Sequence, residues 1–374
     1  MNEDKSSRYH RLRRCASVAS TILGVLLLMA LVGTGASAAL RDTAASLTGG
    51  SFLLTLCCYV VILALINEAI GLPLAFYQGV TLERRYGLST QTTARWWLDH
   101  LKAGLVALVF ALVAAVLVCS SIRWDPDRWW MVAAAAFTVI LVVLVQLAPV
   151  VLLPLFYEFK PLHRDALVTR LVSLADRAGA RVMGVFEWRL SDKTRKANAA
   201  LAGIGHTRRI IISDTLLAEH SDDEIEVILA HELAHHVHRD IWKGIALETA
   251  LIALGFYLAD RVLTRFAGSF GLAGKGDVAA LPLLLLAAGA VSLALMPLAN
   301  ALSRAHERSA DRYALEMTRN VSAFVSAMKR LGAQNLAEEH PSRLVQILFY
   351  THPPISARID AAHAWASSDR GGRP

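Results

Sequence analysis

The sequence predicts a mainly α protein: a polytopic helical membrane bundle carrying a small α+β unit, which two further transmembrane helices interrupt. Three observations lead there. Of 374 residues, 55% are hydrophobic and only 18% charged, with a mean hydropathy of +0.44, far from the balance of a soluble globule. Six apolar runs approach the roughly 20 residues that cross a bilayer as a helix. Between and after them lie segments with strand-like and amphipathic helical patterns.

The runs are Ser17–Leu40, Phe52–Phe76, Ala103–Ile122, Trp129–Pro154, Trp242–Ala259 and Ala279–Leu298. Trp96, Trp97, Trp129, Trp130 and Trp242 fall near their ends, where amphipathic rings favour the interface. Residues 1–157 form a membrane domain with four predicted spans. Residues 158–374 form a second domain with two more, at about 242–259 and 279–298. Ala36-Ser37-Ala38 resembles a signal-peptidase site, but the preceding apolar stretch is long for a signal peptide, so a retained anchor is expected.

The formal charge of +7 does not indicate nucleic acid here, because the basic residues cluster beside the spans. Lys5, Arg8, Arg11, Arg13 and Arg14 precede the first span, and only Arg41 separates it from the second. That asymmetry places the N-terminus in the cytoplasm. With six spans, the polar segment after the fourth and the C-terminal tail face the cytoplasm too. The Ala/Leu/Arg-rich composition suggests a bacterial inner membrane. Cys15, Cys57, Cys58 and Cys119 sit in or beside spans with no C-x-x-C pair, which fits apolar packing rather than a metal or disulfide framework.

The polar unit begins near Glu158. A helix is expected over Asp165–Ala178, strands over Arg181–Trp188 and Arg209–Ser213, and a short helix capped by Asp214. Ser221 and Glu224 make a capping-box pattern before Ile225, Ile228 and Leu229. The helix so started carries His231-Glu232-Leu233-Ala234-His235 in its third turn. Residues four apart share a helix face, so two imidazoles can grip one Zn²⁺ while Glu232 reaches a water on it. A catalytic zinc needs a third protein ligand and an open position. The best candidate lies in Ser303-Arg304-Ala305-His306-Glu307-Arg308-Ser309-Ala310-Asp311, where Glu307 and Asp311 share a face. One carboxylate would bind the metal and the other accept a ring N–H from a ligand histidine. His236 and His238 are expected beside the site or exposed, with His206 and His306 as bystanders. Gly268–Gly276 reads as a flexible link, and Pro297 as a kink or end of the sixth span. Glu68 and Glu248 would be costly in lipid, so they are expected to face the bundle interior or a water-filled cavity, with a position near the interface as the alternative for Glu248.

Taken in order, these motifs resemble the integral-membrane zinc metalloproteases typified by the type I CaaX prenyl endopeptidase. The match includes Glu83-Arg84-Arg85-Tyr86-Gly87-Leu88-Ser89 with Gln91-Thr92, and Pro154-Leu155-Phe156 with Phe159, Pro161 and Leu162. It continues through Asn198-Ala199, Gly203 and Arg209–Leu217, then Glu307-x-x-x-Asp311, and ends at His352-Pro353-Pro354 with Arg358. The resemblance implies a zincin-like metallopeptidase unit with one Zn²⁺ on His231, His235 and Glu307. It makes Glu232 general base and then acid, and sets Asp311 to orient a ligand histidine. It puts His352 and Arg358 near the oxyanion or substrate backbone, and Asn198 against an extended peptide. On the residues alone, His352 could be a turn residue and Arg358 a surface charge. The family's eukaryotic members have seven spans where six are read here. The substrate implied is a peptide or membrane protein, with prenylated CaaX peptides as the family's type. A bacterial chain would instead suggest a heat-shock-type quality-control protease acting on unprenylated membrane proteins. A non-catalytic zinc-containing membrane scaffold would have no use for Glu232.

Overall fold

The computed structural model describes residues 4–203 and 208–371; His206 lies outside the described residues. Helix α1 (Lys5–Gly33) is followed by α2 (Ala36–Leu47), α3 (Phe52–Phe76) and α4 (Glu83–Arg85), the last two joined by a π-helical stretch at Tyr77–Leu82. Then come α5 (Thr93–Trp124), α6 (Trp129–Leu147) and α7 (Leu153–Phe156), with a second π-helical stretch at Ala148–Leu152. Pro73 and Pro149 lie at these irregularities; a proline has no N–H to return to the preceding turn, which favours such bulges. The polar unit runs β1 (Phe159–Pro161), α8 (Asp165–Arg177), β2 (Val185–Trp188), β3 (Ala199–Ala202), β4 (Arg209–Ser213), α9 (Asp214–Glu219) and α10 (Asp222–Val237). Two long helices follow, α11 (Asp240–Phe266) and α12 (Leu281–Thr318), then α13 (Val321–Gln334), α14 (Arg343–Phe349) and α15 (Ile355–Gly371). Among the described residues, six helices are long and apolar enough to cross a membrane.

Three local expectations change. The first span does not run to Leu40: Gly35 adopts a left-handed φ of 75°, and Thr34 turns its hydroxyl onto the carbonyl of Ala30, so the helix ends there. The short helix α9 is capped by Ser213, whose hydroxyl accepts from Leu216 N. Asp214 instead accepts from the backbone N–H groups of Leu190 and Ser191 and ties the β2–β3 connection down. Helix α12 passes through Pro297 unbroken, which carries one rigid element from the membrane into the polar unit.

The sheet order is β1-β2-β4-β3, with β2 and β4 parallel and both outer strands antiparallel. Central β4 alternates its side chains between two cores. Ile210 and Ile212 join Leu167 and Leu171 of α8, Ile225, Leu229 and Leu233 of α10, and Phe324 and Met328 of α13. Ile211 joins Trp188, Leu190 and Ala202 on the other face. The motif helix is thereby fixed against the sheet, and β3 is left as the edge strand beside it. Within the bundle, Asn67 lines one cavity of about 480 Å³ and Glu248 another of about 370 Å³. Glu68 points to His100 at 2.6 Å.

Candidate metal centre and active site

The motif helix begins where the sequence says. Ser221 Oγ accepts from Glu224 N, and Glu224 returns a bond from its carboxylate to Ser221 N, completing the capping box. Ala230 and Ala234 on α10, and Ala310 and Ala314 on α12, are fully buried. Small side chains at a helix contact let the backbones approach, and α10 packs along α12. His231 falls in the third turn of α10 and His235 in the fourth, their rings 5.1 Å apart.

That packing brings Glu307 to the two imidazoles. Its Oε2 lies 3.2 Å from His231 Nε2 and its Oε1 lies 3.4 Å from His235 Nε2. One ligand atom from each residue can be chosen so that all lie within 4.8 Å of one another. Glu307 Oε2 is buried and has no hydrogen-bond partner among the described residues. An orphaned buried carboxylate oxygen costs a few kcal/mol, and the Glu307 carboxylate, with one oxygen toward each imidazole nitrogen, fits a cation. Two His and one Glu are also a donor set of catalytic zinc sites, so the residues fit the group.

Both imidazoles are held from behind. His231 Nδ1 meets Asp311 Oδ1 at 2.9 Å, and Arg358 Nε donates to the other oxygen of Asp311 at 2.8 Å. His235 Nδ1 meets Asp240 Oδ2 at 3.1 Å, and Lys243 Nζ donates to Asp240 Oδ1 at 2.9 Å. Such carboxylates fix the tautomer that leaves Nε2 free toward the site. Burial presses His231 toward its neutral form, but the neighbouring carboxylates of Asp311 and Glu307 outweigh this and raise its pKa to about 9. Burial raises the Glu232 carboxyl, with the two histidines opposing.

His352 Nε2 lies 3.4 Å from Glu307 Oε1, so a residue 45 positions downstream of Glu307 stands at the same centre. The structure brings together His231, His235, Glu307, Asp311, His352 and Arg358. Arg358 is spent on Asp311, in bidentate contact, rather than free. Asn198 stands apart, exposed at the start of β3, with its backbone paired to Ser213. Of the other histidines, His238 ends α10 with Nδ1 3.4 Å from Ser309 Oγ, and His306 Nε2 lies 3.8 Å from Asp240 Oδ1. Asp240 is the residue that sequence reasoning missed. Its signal was available: a carboxylate five residues past the second histidine, across a left-handed turn at Arg239 (φ 56°).

Comparison with known proteins places the chain in a family. A model described as peptidase family M48 matches residues 161–366. The chain belongs to peptidase family M48. A second model, described as the N-terminal region of CAAX prenyl protease with five membrane helices, matches residues 2–158. Among the described residues that part holds four candidate spans, with the shorter α2 between the first two. A Bacillus subtilis protein named uncharacterized metalloprotease YhfN is 34% identical over 81% of this chain and 72% of its own length. CAAX prenyl protease 1 of Saccharomyces cerevisiae is 27% identical over 81% of this chain and 71% of its own. The crystal structure of S. mikatae Ste24p shares the fold, with a TM-score of 0.85 at 24% identity, over 96% of this chain and 88% of that one. The M48 chain described here is a multi-pass membrane metalloprotease.

Proposed function

We propose that this protease uses one Zn²⁺ held by His231, His235 and Glu307, and cleaves peptide bonds on the cytoplasmic side of a bacterial inner membrane. The observation that carries the reading is the orphaned Glu307 Oε2 facing His231 Nε2 at 3.2 Å. When bound, the cation supplies Lewis acidity toward a carbonyl oxygen and acidifies water in the site. Glu232, beside the ligand His231, takes the proton of the attacking water and returns it to the leaving amine. Its burial keeps the carboxyl above the ordinary range, which suits a group that must both accept and donate. His352, with Nε2 at 3.4 Å from Glu307, would donate to the developing oxyanion. Asp311 and Asp240 hold the two ligand imidazoles, and Arg358 holds Asp311.

An extended peptide would add to the edge strand β3 near Asn198, because β4 takes one side of that strand and α10 packs beside it. Strand addition holds substrate through backbone bonds largely independent of side chains. A bacterial membrane favours unprenylated membrane proteins as substrates, as in quality control, whereas the yeast relative named CAAX prenyl protease 1 favours a prenylated peptide. Paired farnesylated and unmodified peptides test that choice, and equal turnover of both would refute the prenylated one. For the chemistry, Glu232→Gln is expected to keep about one equivalent of bound zinc while lowering turnover by about 10²–10⁴-fold. A purified variant with full activity would remove Glu232 from the reaction.

A further inference from the structure

Helix α14 turns its apolar side chains outward. Leu344 is 67% exposed, Ile347 is exposed on the same side three residues on, and Phe349, also exposed, ends the helix. No residue of α14 is buried. Its backbone is nevertheless firmly held. Asn300 Nδ2 donates to the carbonyl of Leu348 at 2.8 Å. Arg304 Nη1 donates to the carbonyls of Gln346 and Tyr350 at 2.9 and 2.6 Å. Tyr350 donates its hydroxyl to buried Glu338, which also takes Arg14 of α1. An exposed apolar helix pinned in one place is a surface made for a partner.

The pins fix its height. No charged residue lies between Asp277 and Arg304, and about 20 residues of helix cross the hydrocarbon. Asn300 and Arg304 therefore fall at the polar edge of the sixth span, the level at which α14 is tied. On α12 itself, Leu298 and Leu302, about 40° apart around the helix, are exposed as well, so apolar side chains stand outward at the level where α14 is tied. Arg343 at the start of α14 is exposed, in keeping with a phosphate-rich boundary.

We propose that α14 lies in the membrane–water interface, with Leu344 and Ile347 among the lipids of the leaflet at the polar end of the sixth span, and that this docking positions His352. The two residues between Phe349 and His352 are Tyr350, held by Arg304 and Glu338, and Thr351, whose hydroxyl meets His352 Nδ1 at 2.8 Å. The bilayer thus acts through α14 on one wall of the site, while α12 carries Glu307 in the other. His352 is here a residue of the site as proposed above, and the membrane docking stands independently of that role.

The full-length protein in nanodiscs tests both parts. A nitroxide at Leu344→Cys or Ile347→Cys, in a background with the four native cysteines replaced, is expected to be reached by oxygen in preference to a water-soluble nickel chelate. A label at Arg177→Cys, exposed on α8, should show the reverse. A Leu344 label as open to nickel as the Arg177 label would overturn the proposal, and so would one shielded only when peptide is added. A photo-reactive benzophenone residue in place of Leu344, in the otherwise native chain, gives a second reading: crosslinks to lipid support it, and crosslinks only to protein overturn it. Leu344→Ser with Ile347→Ser is expected to lower turnover of a short soluble peptide at least about tenfold at unchanged bound metal, as a misplaced group does. Unchanged turnover would overturn the coupling to His352. A wild-type protein that cleaves nothing would instead defeat the peptidase assignment while leaving the label depths intact.

Discussion

Asp240 and Asp311 stand in equivalent positions, each accepting the Nδ1 side of one histidine, at 3.1 and 2.9 Å. They differ in support: Asp311 is braced by the guanidinium of Arg358, and Asp240 by the ammonium of Lys243. A neutral amide cannot hold the ring N–H as strongly, so Asp240→Asn is expected to weaken metal binding by about 10- to 100-fold, measured by chelator competition. An affinity within twofold of wild type would show that Asp240 does not orient His235. Away from the metal, Glu224 offers a check on acid sensitivity. Burial pulls its carboxyl up, but bonds from Ser326 and Ser221 N, together with Arg330, outweigh that and hold it below the ordinary range. A depressed folded-state pKa contributes stability above the unfolded value of about 4.3, and that contribution is lost as pH falls through the folded value. Glu224→Gln is therefore expected to cost about 1–2 kcal/mol at pH 7 and to flatten the acid limb of a stability–pH curve. An unchanged limb would assign acid sensitivity elsewhere.

At the scale of elements, α12 decides whether there is a site at all. It carries the sixth span and Glu307 as one continuous helix through Pro297, so the phase of the helix fixes where the carboxylate points. Inserting one alanine between Ser303 and Arg304 turns everything beyond it by about 100°. Such a variant is expected to insert normally in the membrane yet purify without bound metal; full metal occupancy would mean that Glu307 is dispensable. Pattern reading anticipated an interruption at Pro297, because an interior proline loses one hydrogen bond and crowds the preceding turn. Packing of α12 against α10, α11 and α1 outweighs that local cost.

In the whole molecule, the N-terminal helix clasps the catalytic half. Tyr9 and Lys196 both meet Glu83, and Arg14 pairs with Glu338. The Arg14–Glu338 pair is largely buried, and breaking such a pair leaves a charge without its partner. Arg14→Ala is expected to destabilise the protein by about 2–4 kcal/mol, visible as a lower unfolding temperature in detergent. At the far end of the bundle, buried Asp260 accepts from Trp129 and Lys275, and Asp277 pairs with Arg41. The two ends are thus stapled by different charges, with the apolar spans between them.

The sequence by itself determined six runs long and apolar enough to cross a membrane, the capping box, the two histidines on one face, and the paired carboxylates of Glu307 and Asp311. All of these are matters of composition or of spacing within a single helix, where geometry follows from 3.6 residues per turn. Only the tertiary structure decided that Glu307 meets both imidazoles, that Arg358 is committed to Asp311, that Asp240 backs His235, and that α14 is tied to the end of the sixth span. Each of those contacts joins separate helices, and their meeting is set by helix packing and by the left-handed turn at Arg239, which no periodicity within one segment encodes.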